Sequence, residues 1–88
     1  MNNNARRTLL RFGLRLAELR EARGLTQEQA AELVEMSTRQ LQRAEAGEAN
    51  VSVVTLVALA AALRCTVAQL FEPDDPNARR RPGRPRRA

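Results

Sequence analysis

The chain has 88 residues, a length that fits one small domain. Its only aromatic residues are two Phe, which speaks against a large flat β-core and against an aromatic platform for stacking bases. The net charge of +5 is uneven: residues 1–11 hold three Arg and no acid, 12–73 six Arg against eight Glu, and 74–88 six Arg against two Asp. Charge thus divides the chain into a basic N-terminal arm that starts the first helix (1–11), a slightly acidic domain (12–73) and a basic tail (74–88).

Apolar residues at Leu9, Phe12, Leu16 and Leu19 recur in steps of three and four, which predicts a helix over Arg6–Ala22 with Met1–Ala5 frayed ahead of it. Gly24 supplies the stop, because glycine takes the left-handed cap conformation cheaply. Thr26 and Gln29 form a capping box, opening a second helix that ends near Val34–Glu35. Ser37 and Gln40 repeat the box for a third, which Gly47 ends. Ser52 caps "VVTLVALAAAL", apolar nearly all round and therefore expected at the centre of the domain. At 13 residues, Val51–Leu63 is too short to span a bilayer, and no membrane association is predicted. Thr66 and Gln69 make a third box before the short helix "VAQLF", closed by Pro73. Five short helices with a cap at nearly every junction predict an all-α fold. "PDDPNARRRPGRPRRA" offers Pro, Gly and Arg and nothing to pack, so Asp74–Ala88 reads as a disordered tail.

The chain holds no His and a lone Cys65, which has no intramolecular disulfide partner and packs as a small apolar residue. No nucleophile–base pair, metal-ligand spacing or Gly-rich phosphate loop is visible, so neither an enzyme nor a metal or cofactor is expected. With no recognisable leader, the chain reads as cytoplasmic.

The second and third predicted helices are joined across "VEMS". Ala31 lies where the first of them would meet the second, and Leu41 and Ala44 face back. A three- to four-residue turn between closely crossed helices gives helix-turn-helix geometry. The second helix then stands proud, with Thr38, Arg39, Gln42 and Arg43 facing away from the core in a position suited to a DNA major groove. Arg39 and Arg43 are four apart on one face, and each guanidinium can grip guanine O6 and N7 as a fork. As ordinary solvated charges, the same arginines would instead pair with Glu35 or Glu48.

Residues 12–71 resemble the phage-repressor helix-turn-helix family (Cro and lambda repressor, or Xre-type). The likeness rests on "LRLAELREARGLTQEQAAELV", "STRQLQRAEAGE", "NVSVVTLVALAAAL" and "TVAQLF" in that order. It implies a five-helix lambda-repressor-like DNA-binding domain. It further implies that Gln27 grips a phosphate, that Thr38, Arg39, Gln42 and Arg43 meet bases, and that Asn50 touches the DNA backbone. Arg20 and Glu45 match a pair that braces the recognition helix. Three positions depart from the family pattern: Glu35 stands where the turn commonly has Gly, Ala30 where Leu is usual, and Val51 where Pro is common. A non-Gly residue held left-handed at position 35 is strained by roughly 1 kcal/mol. In the tail, "RPGRPRR" resembles an AT-hook whose first core Arg is replaced by Pro82. Arg81, Arg84, Arg86 and Arg87 are its candidate DNA contacts, by minor-groove insertion or by loose phosphate attraction, the alternative being a functionally silent tail.

The function this predicts is a sequence-specific DNA-binding transcriptional regulator, a repressor binding a two-fold operator on double-stranded DNA as a homodimer, associated with the nucleoid. Two alternatives keep the fold. One is an antitoxin that represses its own promoter and holds a toxin as protein partner. The other is a protein-bridging module that reads no sequence, which the acidic balance of residues 12–73 favours and the two exposed arginines oppose.

Overall fold

Asn2 sets the first boundary in the computed structural model, which describes residues 2–72. Its side-chain oxygen accepts the Ala5 N–H at 2.7 Å, and helix α1 runs Asn3–Ala22. The helix thus starts upstream of Arg6, and the Asn2–Ala5 stretch expected to fray is its capped first turn. An asparagine at this place accepts an N–H that has no partner inside the helix. Three asparagines in a row have low interior propensity, which hid the cap.

Helix α2 (Gln27–Leu33) and helix α3 (Thr38–Glu45) each open on the predicted box. Thr26 Oγ1 accepts the Gln29 N–H at 3.0 Å and Gln29 Oε1 accepts the Thr26 N–H at 2.9 Å. Ser37 and Gln40 repeat this at 3.0 and 2.8 Å. The boxes matter because the buried side chains of α2 are small, Ala30 and Ala31. Two alanines bury far less than the 1.5–3 kcal/mol of one large apolar side chain, so a cap of about 1 kcal/mol is a comparable term.

Helix α4 (Val53–Leu63) starts on Ser52, whose hydroxyl accepts the Thr55 N–H at 3.1 Å. It is not central all round. Leu59, Ala60 and Leu63 are buried, but Val53 is 73%, Val54 79% and Val57 56% exposed. The core lies on one side of α4, so its apolar composition exceeds what this fold can cover.

The Thr66–Gln69 box forms as well, at 3.0 and 2.8 Å. It opens a 3-10 turn over Ala68–Phe71, not a fifth α-helix. The bonds of this turn, Gln69 N–H to Thr66 O and Leu70 N–H to Val67 O, span three residues. Glu72 is already extended, as the residue before a proline prefers, so the element ends at Phe71. The described residues therefore form four α-helices and one 3-10 turn in an all-α domain. Residues 73–88, which include the predicted basic tail (74–88) with Arg81, Arg84, Arg86 and Arg87, lie outside the described residues.

All four helices end in the same way. A six-to-one bond closes each: Leu25 N–H to Arg20 O, Met36 to Ala31, Glu48 to Arg43 and Cys65 to Ala60, at 2.9–3.2 Å. The residue before each donor is left-handed: Gly24, Glu35, Gly47 and Arg64, with φ of 57–76°. This cap satisfies carbonyls that the helix cannot, and it favours glycine. Glu35 and Arg64 adopt it without glycine, so the helix-turn-helix turn keeps the glycine geometry at a strain cost.

The core gathers Phe12 and Leu16 of α1, Ala30 and Ala31 of α2, Leu41 and Ala44 of α3, Leu59 and Leu63 of α4, and Leu70 of the turn. Phe71 stacks on Phe12 with ring centroids 5.3 Å apart. Cys65 packs half-buried at the core edge. Burial pushes its thiol pKa up, against the pull of Arg15.

Candidate nucleic-acid interface

Recognition geometry here depends on how α3 is held. Its inner face is Leu41 and Ala44, both essentially without exposure, seated on α1 and α2. Gly13 of α1 lets the backbones meet: a Cβ there would stand 2.4 Å from the Glu45 carbonyl oxygen. At the C-terminal end of α3, Arg20 grips Glu45. Arg20 Nε donates to Glu45 Oε2 at 2.6 Å and Nη2 to Oε1 at 3.2 Å, while Nη1 donates to the Leu25 carbonyl at 2.8 Å. The two side chains are 11% and 7% exposed. The Glu45 hydrogen bond raises the Arg20 pKa above its ordinary value, outweighing desolvation.

The outer face of α3 carries the predicted readers. Arg39, Gln42 and Arg43 are exposed and Thr38 is half-exposed. Neither arginine has a carboxylate within ion-pair distance among the described residues, so the pairing with Glu35 or Glu48 does not form. Arg43 makes only a long 3.4 Å bond to the Glu48 carbonyl. An α-helix is about 10–12 Å across with its side chains, which suits a major groove about 12 Å wide.

Gln27 is half-buried beneath this face and is not free. Its Nε2 donates to Glu45 Oε1 at 2.9 Å, and its Oε1 accepts from Gln42 Nε2 at 3.2 Å. The structure thus joins Arg20, Glu45, Gln27 and Gln42 in one hydrogen-bonded run, which residue spacing alone does not reveal. Asn50 is exposed on the loop after α3 and shares an open cleft of about 350 Å³ with Arg43, Gln40 and Ser52. Thr38 and Arg39 sit at the other end of α3. Two contributors escaped the sequence reading. Gly13 is a glycine inside a helical pattern, a signal of close approach. The Gln27–Gln42 bond left no such mark.

Residues 16–70 match the helix-turn-helix family HTH_3. No curated protein matches the chain. Among solved structures, it is similar to the restriction-modification controller protein C.AhdI from Aeromonas hydrophila. The two share 43% identity over 72% of this chain and 96% of that one, with a TM-score of 0.70. It is also similar to the clp gene regulator ClgR from C. glutamicum, at 28% identity over 73% of this chain and 82% of that one, TM-score 0.71. An HTH_3 family transcriptional regulator from Vibrio cholerae is similar at 27% identity, over 76% of this chain but only 38% of that longer one, TM-score 0.71. No helix among the described residues is long and apolar enough to cross a membrane. With the family match covering more than half of its length, the chain belongs to the HTH_3 helix-turn-helix family of DNA-binding transcription regulators, not enzymes.

Proposed function

We propose that the chain represses transcription by occupying a two-fold operator as a homodimer, with Arg39 and Arg43 reading guanine, Gln42 and Thr38 meeting bases beside them, and Gln27 and Asn50 on phosphates. The observation that carries this reading is the state of α3: two exposed arginines without carboxylate partners among the described residues, on a helix braced from behind by Leu41, Ala44 and the Arg20–Glu45 pair.

One eight-residue helix touches a single half-site, so specific binding calls for a second copy. The exposed Val53, Val54 and Val57 of α4 supply a face for it. No charged residue occurs between Val51 and Leu63, so two copies of a chain with net charge +5 can meet there without opposing like charges. A stable interface buries about 800 Å² per partner, more than one short helix face offers, so the dimer is weak in free solution and is completed on DNA. The arginines of the tail, Arg81, Arg84, Arg86 and Arg87 among them, add phosphate attraction.

Arg39→Ala and Arg43→Ala test the reading. Each should weaken binding to a selected duplex by about 1–3 kcal/mol and relax preference at one base pair, with melting unchanged. Equal loss on every duplex demotes them to phosphate contacts, and no loss favours a protein-bridging module. Val54→Arg should abolish cooperative binding to a two-half-site duplex and spare binding to one half-site. Cooperative binding that survives it would remove α4 from the dimer and leave that face to an unlike protein, as an antitoxin would require.

A further inference from the structure

We propose that Glu45 is a positioning residue for base readout: through Gln27, its carboxylate fixes which end of the Gln42 amide is free to meet DNA. The proposal rests on the reading of Gln42 as a base contact.

Arg20 holds the Glu45 carboxylate with two hydrogen bonds, at 2.6 and 3.2 Å, in a site where the Glu45 side chain is 7% exposed. An ionised carboxylate accepts hydrogen bonds and cannot donate them. Gln27 therefore has to turn its amide nitrogen to Glu45 Oε1, as it does at 2.9 Å. That leaves Gln27 Oε1, an acceptor only, facing Gln42. Gln42 must turn its own nitrogen inward, as it does at 3.2 Å. Both amide bonds thus run in one sense, toward the buried ion pair, and each link polarises the next.

The sense has a consequence at the surface. With one N–H spent on Gln27, Gln42 keeps one N–H and its carbonyl oxygen. That donor and acceptor match adenine, which offers N7 as acceptor and N6–H as donor in the major groove. With the sense reversed, Gln42 would accept from Gln27 and keep both N–H groups free, which suits the two acceptors of guanine, O6 and N7. A buried charge that never reaches the DNA thus selects adenine over guanine at one base pair.

The experiment compares binding of full-length variants to a randomised duplex pool, with melting curves as a check on folding. Gln42→Ala identifies the base pair concerned. Glu45→Gln can donate as well as accept, so adenine-over-guanine preference at that pair should fall about tenfold while other positions keep theirs. In the Gln42→Ala background, Glu45→Gln should change nothing further at that pair. Gln27→Met leaves the Arg20–Glu45 pair intact and removes the link, so it should relax the same pair, and it decides the matter where Glu45→Gln fails to fold. Folded Glu45→Gln or Gln27→Met with unchanged adenine preference, or with equal loss at every position, would overturn the proposal and leave Glu45 a brace. Should Gln42→Ala alter no base preference, the reading of Gln42 falls, and this proposal with it.

Discussion

Gly13 of α1 lies against the backbone of Glu45 at the end of α3, so closely that a Cβ on it would stand 2.4 Å from the Glu45 carbonyl oxygen and 2.7 Å from that of Ala44. Both obstacles are main-chain atoms and cannot rotate away. In an open helix, Gly→Ala gains about 0.5–1 kcal/mol. Here overpacking, at about 1–3 kcal/mol or more, outweighs that gain. Gly13→Ala should lower the melting temperature by about 4 °C or more, since 1 kcal/mol moves a domain of this size by about 4–8 °C. A melting temperature at or above wild type would mean that α1 and α3 separate freely.

Arg20→Ala should cost about 3–5 kcal/mol, the range for removing one partner of a buried pair. Both side chains are nearly enclosed, which puts the pair far from the 0–1 kcal/mol of a surface bridge. Arg23→Ala, an exposed arginine three residues on, should stay within about 0.5 kcal/mol and serves as control. Urea unfolding of both variants checks the difference; matching midpoints would refute the brace.

Glu35 has φ of 58°. Glu35→Gly relieves strain of about 1 kcal/mol, set against the greater freedom glycine gives the unfolded chain. The outcome should be neutral to about 1 kcal/mol stabilising, and Arg64→Gly, at φ 57°, should behave alike. A clear loss of stability at both sites would show that side-chain contacts, not backbone strain, dominate these caps.

Much of this was legible in the residues because capping is local chemistry. Thr26–Gln29, Ser37–Gln40, Ser52 and Thr66–Gln69 all bond as spacing dictates. The Arg20–Glu45 pair came from family likeness, since no local pattern joins residues 25 apart. Where the reading failed, tertiary context or competing local signals decided. The apolar composition of α4 cannot say which valines the core leaves uncovered, and the Thr66–Gln69 box opens a 3-10 turn with the same local bonds that open α2 and α3. The Gln27–Gln42 bond joins α2 to α3 and meets Glu45 there, a juxtaposition that only the packing of the two helices creates.

Truncation after Asp75 removes six arginines and leaves every described helix intact. Melting should not change. The slope of log affinity against log salt should fall by up to roughly 5, at about 0.9 per phosphate contact. A loss equal on A·T-rich and G·C-rich flanks marks simple charge attraction. A larger loss on A·T-rich flanks, reproduced by Arg84→Ala, marks minor-groove insertion. An unchanged slope would leave these arginines without a DNA role.

Selection of bound duplexes from a random pool by the full-length chain tests sequence-specific two-fold recognition most directly. The enriched sequences should share a motif with two-fold symmetry, its half-sites centred about one helical turn apart or a multiple of it. Guanine should dominate at positions that Arg39→Ala and Arg43→Ala relax. A pool retained without any enriched motif would contradict the account, and would reduce α3 to a rigid surface that reads no sequence.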